Sequence, residues 1–293
     1  MFEIISGVLE QGFIYGIMAL GVYISYKILN FPDLTVDGSF PLGAAVTAVL
    51  LTAGVNPWIA LALSFAVGIC AGLLTGIIHV KLKVNDLLSG IIVMTALYSI
   101  NYRIAGKSAN IPIFDQDTIF NSGLANFFPQ ELSGFVVLFI VFIVALVMKF
   151  AMDWYLNTKS GFLLRATGDN KHFVTAIAKD YGIVKIIGLA ISNAFVAMAG
   201  SVVCQQQKLF DITMGTGTIV IGLAAVIIGI NVFKPLKFLK PTTMVLGGSI
   251  IYKACVAVAF EVGFDNADIR LITAVLFLIA LIANGKIIKV REE

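Results

Sequence analysis

"NFPDLTVDGSFPLGAA", residues 30–45, decides how the chain is read. It lies between apolar runs of membrane-spanning character, yet it carries two aspartates, two prolines and an asparagine. Such residues interrupt helices and demand polar partners. One account is local. Asp37 or Ser39 caps a short helix beginning near residue 38, with Pro41 tolerated in the first turn, because a side-chain oxygen there satisfies free N–H groups and a carboxylate suits the helix dipole. The other is functional: the segment re-enters the membrane core, and Asn30, Asp33, Thr35, Asp37 and Ser39 line a translocation pathway, since acids inside a membrane are costly and face cavities. Either way the interruption is expected to face protein or water, and not lipid.

The rest of the chain sets that stretch in a membrane. Of 293 residues 59% are hydrophobic and 13% charged, far more apolar sequence than a soluble core uses. The fold class expected is all-α and polytopic, one transmembrane domain over residues 1–293. Nine embedded helices are expected, near residues 8–28, 38–54, 57–79, 87–104, 134–150, 184–204, 215–231, 242–260 and 269–284. Helices follow because backbone groups in lipid must be satisfied within the segment, and no period-two alternation suggests a barrel. The segments at 38–54 and 215–231 are short and follow polar breaks, the mark of broken helices beside a transport site. "MFEIISG" has no basic n-region, so no cleaved signal peptide is expected. Cys70, Cys204 and Cys255 sit in apolar runs, and His79 and His172 stand far apart, so neither a disulfide framework nor a metal site is expected.

Basic residues give the orientation. With the N-terminus outside, 15 of the 20 Lys and Arg residues fall on the cytoplasmic side and Arg103, Lys107, Lys208 and Arg270 outside. An N-out, C-in topology is expected. It makes residues 105–133 an external loop suited to docking or a short interfacial helix, and 151–183 a cytoplasmic one. In the latter, Asp169 or Asn170 is expected to cap a short helix over "KHFVTAIAK". That helix would end near Asp180 and Tyr181, with Gly182 in a left-handed C-cap. The segment is either a solvated connector or a surface that grips a partner.

The chain contains no paired carboxylates, HExxH or GxSxG arrangement. "AGKS" at 105–108 resembles the end of a phosphate-binding loop, but that motif needs glycine at 101, which is asparagine. No enzymatic activity is expected, and uphill movement would draw on an ion gradient or another polypeptide.

Three stretches resemble one family in order along the chain: "ILNFPDLTVDGSFPLGAAV", "TKSGFLLRATGDNKHFVTAIAKDYGI" and "MGTGTIVIGLAAVIIG". Together they are similar to the permease subunits of ABC importers of the branched-chain amino-acid and ribose type, over about residues 8–285. The extra N-terminal helix of ribose-type members is not apparent. "PDLTVDGS", with Asp37 as a second acid, is most similar to a subgroup paired with binding proteins for amino acids such as tryptophan or tyrosine. The resemblance implies a homodimer in the bacterial cytoplasmic membrane, with a cytoplasmic ATPase subunit below each copy and an extracytoplasmic binding protein above. It implies no cofactor on this chain, ATP and magnesium being held by the ATPase, and lipid but no nucleic acid as a further partner. It makes 160–182 the coupling element, through Arg165, Gly168, Asp169, Asn170, Ala176, Ile177, Asp180, Tyr181 and Gly182.

Two more features remain open in the residues alone. Lys253 either snorkels toward the external interface near Glu261 or faces a cavity. Gly215, Thr216, Gly217 and Thr218 either let backbones pack closely or expose backbone to the pathway. The "QQQ" at 205–207 reads as an external helix end. Alternatives to amino-acid import are a simple-sugar or nucleoside importer of the same family, or a gradient-driven secondary transporter, which would carry inverted repeats.

Overall fold

A computed structural model describes residues 2–123, 133–169, 180–236, 238–265 and 268–289. All nine expected apolar segments are helical. Helix α1 (Phe2–Val22) runs on into a π-helical turn, Tyr23–Ile28. Then come α2 (Val36–Thr52), α3 (Pro57–Lys81), α4 (Asp86–Ile104), α5 (Ser133–Leu156) and α6 (Lys159–Asp169). They are followed by α7 (Tyr181–Gln207), α8 (Thr218–Phe233), α9 (Pro241–Glu261) and α10 (Ile269–Lys289). Among the described residues, six helical spans are long and apolar enough to cross a membrane, while Val36–Thr52, Thr218–Phe233 and Ile269–Ile282 are shorter apolar helices.

Helix starts follow local chemistry. The Asn56 side chain accepts from Trp58 N at 2.9 Å, with Pro57 in the first position of α3, where its missing N–H costs nothing. Asn85 accepts from Leu87 N at 3.0 Å to open α4.

Helix α7 is the centre, with 78% of its most apolar window buried against at most 44% in any other span. It packs on α3, α2 and α1 with little between the backbones. A Cβ on Gly43, Gly200 or Gly72 would strike the carbonyl oxygen of Ala197, Phe40 or Leu189 respectively. Small residues allow this closeness, and dispersion plus interhelical hydrogen bonds then supply the adhesion that water cannot supply within a bilayer. One such cluster joins three helices: Thr47 Oγ1 lies 2.8 Å from Ser64 Oγ and donates to Ser201 Oγ at 2.6 Å. A second layer, α8 to α10, leans on α1, where Ser249 Oγ donates to Gly12 O at 2.7 Å.

The loop after α4 is neither a plain loop nor an interfacial helix at its start. Asn110–Pro112 (β1) pairs antiparallel with Leu209–Asp211 (β2), Ile111 opposite Phe210. Residues 124–132 of that loop lie outside the described residues.

Candidate functional site

The break between α1 and α2 begins inside the π-helical turn, where Leu29 N donates to Ile24 O at 2.9 Å and Phe31 N to Ser25 O at 2.8 Å. The wider winding brings the chain out at Asn30 with φ of 50°, a left-handed conformation that asparagine tolerates better than most residues. Asn30 Nδ2 then donates to Gly168 O at 3.2 Å. Asn30 therefore touches α6 and borders a groove with Ile230 and Asn231 near the end of α8, away from the Asp37 contacts at its start described next.

Asp33 is fully buried. Its Oδ1 accepts from Thr35 N at 2.9 Å and its Oδ2 from Asn193 Nδ2 at 2.7 Å. Ser39 Oγ donates to Asn193 Oδ1 at 2.6 Å, and Thr35 Oγ1 lies 2.7 Å from Thr75 Oγ1. The break is thus fastened to α7 and α3 by a closed polar circuit, so the interruption faces protein, as expected. Asp33, Thr35 and Ser39 lie inside that seam.

Asp37 overturns the local account. Helix α2 starts at Val36, and Thr35 at its N-cap makes no side-chain cap hydrogen bond. The Asp37 carboxylate turns away from its own helix and accepts from Gly217 N at 2.9 Å, Ile219 N at 2.8 Å and Thr218 Oγ1 at 3.0 Å. It caps α8 from a position 180 residues earlier. The reason is local to α8: its N-cap is Gly217, with φ of 81° and no side chain to offer, so the free N–H groups take an acceptor from across the fold. Ser39 is no cap either, its hydroxyl being committed to Asn193. The close-packing reading of the "GTGT" stretch describes part of the geometry. Gly215 packs so closely that a Cβ would meet the Asp37 carbonyl and Pro41, while Thr216, Gly217 and Thr218 border a cavity.

That cavity, of about 640 Å³, also touches Tyr15, Ile221, Ile269 and Arg270. A second, of about 460 Å³, shares Tyr15, Ile221 and Ile269 with it and adds Gln11, Gln207 and Lys253. The two are lobes around one tyrosine. Lys253 Nζ sits 3.6 Å above the Tyr15 ring centre. Snorkelling along α9 toward Glu261 is therefore not what its side chain does.

The residues expected to couple to an ATPase lie elsewhere in the chain, on α6 and at the start of α7. Arg165 Nη2 donates to Leu156 O at 2.6 Å, satisfying a carbonyl at the end of α5, and its guanidinium lies 4.7 Å from the Phe162 ring centre. Gly168 lies within α6 and fixes no turn; a Cβ there would strike Ile28 O. Asp169 is the last residue of α6. Asn170, Ala176, Ile177 and the helix expected over "KHFVTAIAK" lie outside the described residues. Asp180 begins a helix where one was expected to end: its Oδ1 accepts from Gly182 N at 2.8 Å, capping α7. Gly182 consequently sits in the first turn of α7, not in a left-handed C-cap. Asp180, Tyr181 and Gly182 border a groove of about 610 Å³ with the α3–α4 turn, Lys83 to Asp86.

Several contributors went unnoticed in the sequence: Asn193 and Thr75 as partners of the break, Tyr15 between the lobes, and Gln11; the "QQQ" stretch reads there only as a helix end. Gln205 is buried and its Oε1 accepts from Ile119 N at 2.9 Å, while Gln11 Nε2 donates to Gln206 Oε1 at 2.6 Å. "QQQ" is a junction between α7, α1 and the 105–123 segment. Among the described residues, no three His, Cys, Asp or Glu side chains group as a metal site.

Comparison with known proteins adds the following. Residues 4–283 match the model of a family described as the permease component of branched-chain amino acid transport systems. A tyrosine transport system permease protein of Clostridioides difficile (strain R20291) is 43% identical, the match covering 97% of this chain and 92% of the relative. An uncharacterized protein of Rickettsia prowazekii is 30% identical over 95% of this chain and 97% of its own. The ribose import permease protein RbsC of Escherichia coli (strain K12) is 24% identical over 95% of this chain and 84% of its own. No solved structure matches the chain.

Proposed function

Because this chain belongs to the family of permease components of branched-chain amino acid transport systems, we propose that it is the membrane subunit of a binding-protein-dependent importer carrying an amino acid inward. Two copies sit in the bacterial cytoplasmic membrane, N-terminus out, with nine embedded helices each. A cytoplasmic ATPase subunit holds ATP and magnesium, and an extracytoplasmic binding protein delivers the solute. The relative that transports tyrosine supports an amino acid over the sugar of the more distant ribose permease.

The observation that carries the reading is the trans cap at Asp37, which couples two interrupted helices beside a chamber of solute size. Thr216, Gly217, Thr218 and Lys253 border the solute path, Asp37 and Gly215 hold its wall, and Asp33, Thr35 and Ser39 brace the scaffold behind it. Asn30 links the break to α6. Arg165, Gly168, Asp169, Asn170, Ala176, Ile177, Asp180, Tyr181 and Gly182 belong to the ATPase contact, which must differ between inward and outward states if hydrolysis is to bias them.

Uptake of radiolabelled L-tyrosine into liposomes holding the complete transporter tests this. Uptake is expected to require ATP, the ATPase subunit and the binding protein together. Uptake that persists without the ATPase and collapses when ion gradients are dissipated would instead mark a secondary transporter.

A further inference from the structure

Lys253 lies well inside α9, eight residues and so about 12 Å before Glu261 at its end. Ionisable side chains in such positions are rare, costly and paired. Among the described residues the only ion pairs are those of Asp153 with Lys149 and Lys240, so Lys253 has no carboxylate partner there. What its ammonium meets is the face of Tyr15, a ring itself stacked on Phe40 with centres 6.0 Å apart. A ring face offsets only part of the cost of a desolvated cation. The ammonium stands at the wall of a chamber whose other lobe is bordered by another cation, the exposed Arg270, and among the described residues neither lobe's lining includes an aspartate or glutamate. The remaining walls are mainly apolar and aromatic, with Ile221, Val256 and Phe260, broken by Gln11, Gln207 and Thr273, and they meet Thr216 and Thr218 at the mouth of α8.

Resting on the importer reading above, we propose that Lys253 is the counter-charge for a carboxylate on the transported solute, and that the chamber accepts a small monocarboxylate with an apolar or aromatic body. Tyr15 holds the ammonium in place when no solute is present. A neutral sugar would leave the Lys253 ammonium without a counter-charge, and an unpaired charge facing the bound molecule discriminates against it. An anionic lipid headgroup has the same charge, but the amide and hydroxyl groups of Gln11, Gln207, Thr216 and Thr218 suit a polar solute better than acyl chains.

The test compares wild type, Lys253→Met and Lys253→Arg in liposomes with the ATPase and binding-protein partners, using L-tyrosine as probe. Lys253→Met is expected to cut the maximal uptake rate at least about tenfold, because losing one partner of a desolvated charge pair is costly. The half-saturating concentration, set by the binding protein, should hold, as should hydrolysis stimulated by loaded binding protein. Lys253→Arg should keep more of the rate than Lys253→Met, since it preserves the charge although the guanidinium differs in shape. Should Lys253→Met fail to assemble, Lys253→Gln keeps a polar side chain over Tyr15 and is read in the same way. A neutral variant with the wild-type rate overturns the assignment while leaving the importer intact. A wild-type complex that moves no amino acid sinks the importer reading and this assignment with it. If wild type in liposomes free of anionic lipid falls as far as Lys253→Met, the cation serves a lipid headgroup and the proposal is wrong.

Discussion

Two short helices of nearly equal length, α2 and α8, each follow a polar interruption, and the molecule treats them in opposite ways. The break before α2 is fastened on two sides, Asp33 and Ser39 to Asn193 of α7 and Thr35 to Thr75 of α3, with every one of these side chains buried. The break before α8 has a glycine N-cap, a cavity along its flank and one carboxylate from elsewhere holding its first N–H groups. The first interruption is part of the scaffold. The second is a wall hung on a single latch, which is where a chain has least to undo in order to move.

Damage to the scaffold should be the most severe. Gly200→Leu pushes a side chain into the Phe40 carbonyl on the α2–α7 seam, where no rotamer change can relieve the overlap. We expect it to cost more than about 3 kcal/mol and to abolish folded protein, read as recovery from membranes and thermal unfolding in detergent. Asp33→Ala should follow. It strands one N–H of the Asn193 amide, whose other donates to Leu189 O, and the Thr35 N–H in a sealed interior, a loss of about 2–3 kcal/mol, visible as a lower unfolding midpoint. If Asp33→Ala were as stable as wild type, the two breaks would not differ as described.

The latch should behave differently. Asp37→Ala removes the cap of α8 at a cost of about 1–2 kcal/mol, so protein abundance should hold while uptake falls. Asp37→Asn retains one carbonyl oxygen and should recover part of the rate. Equal loss of abundance in the Asp33 and Asp37 variants would erase the distinction between scaffold and latch. The smallest effect belongs to Gly182→Val. With Gly182 in the first turn of α7, the new Cβ meets side-chain atoms and no backbone: the Val80 methyl and, at 3.1 Å, the Asp180 oxygen that caps the helix. The change should cost about 1 kcal/mol or less and leave hydrolysis stimulated by the binding protein largely intact. Had the left-handed conformation expected there been present, the same substitution would have been ruinous.

The contrast also shows what the sequence discloses. Apolar runs separated by polar breaks announced each long apolar helix among the described residues, with ends up to about six residues off at α1 and α5, because lipid leaves the backbone no alternative to a helix. The breaks themselves were equally plain, since two prolines and two acids cannot pass through a span unremarked. Their partners were not. Capping rules are local, so Asp37 pointed to its own helix, while the acceptor shortage that recruits it lies at Gly217. Asp180 and Gly182 illustrate the same limit, for Asp and Gly occur at both kinds of helix end and only the direction of the hydrogen bond decides. Asn193 was visible as an amide in an apolar run, but nothing in that run names Asp33 and Ser39 as its neighbours. Tyr15 looked like any aromatic residue of a span; only the cation above it sets it apart.

The π-helical turn at Tyr23–Ile28 acts as a phase shifter. A hydrogen bond from Leu29 back to Ile24 spans five residues where an α-helix spans four, so the chain carries one residue more than the continuous helix would need. That single residue rotates everything after it by about 100°. Removing one residue between Tyr23 and Ile28 would leave α1 as hydrophobic and as long-spanning as before, yet it would aim Asn30 away from Gly168 and swing Asp33 off Asn193. The fastening of α2 to α7 thus depends on a count of residues in a stretch whose own side chains take no part in it.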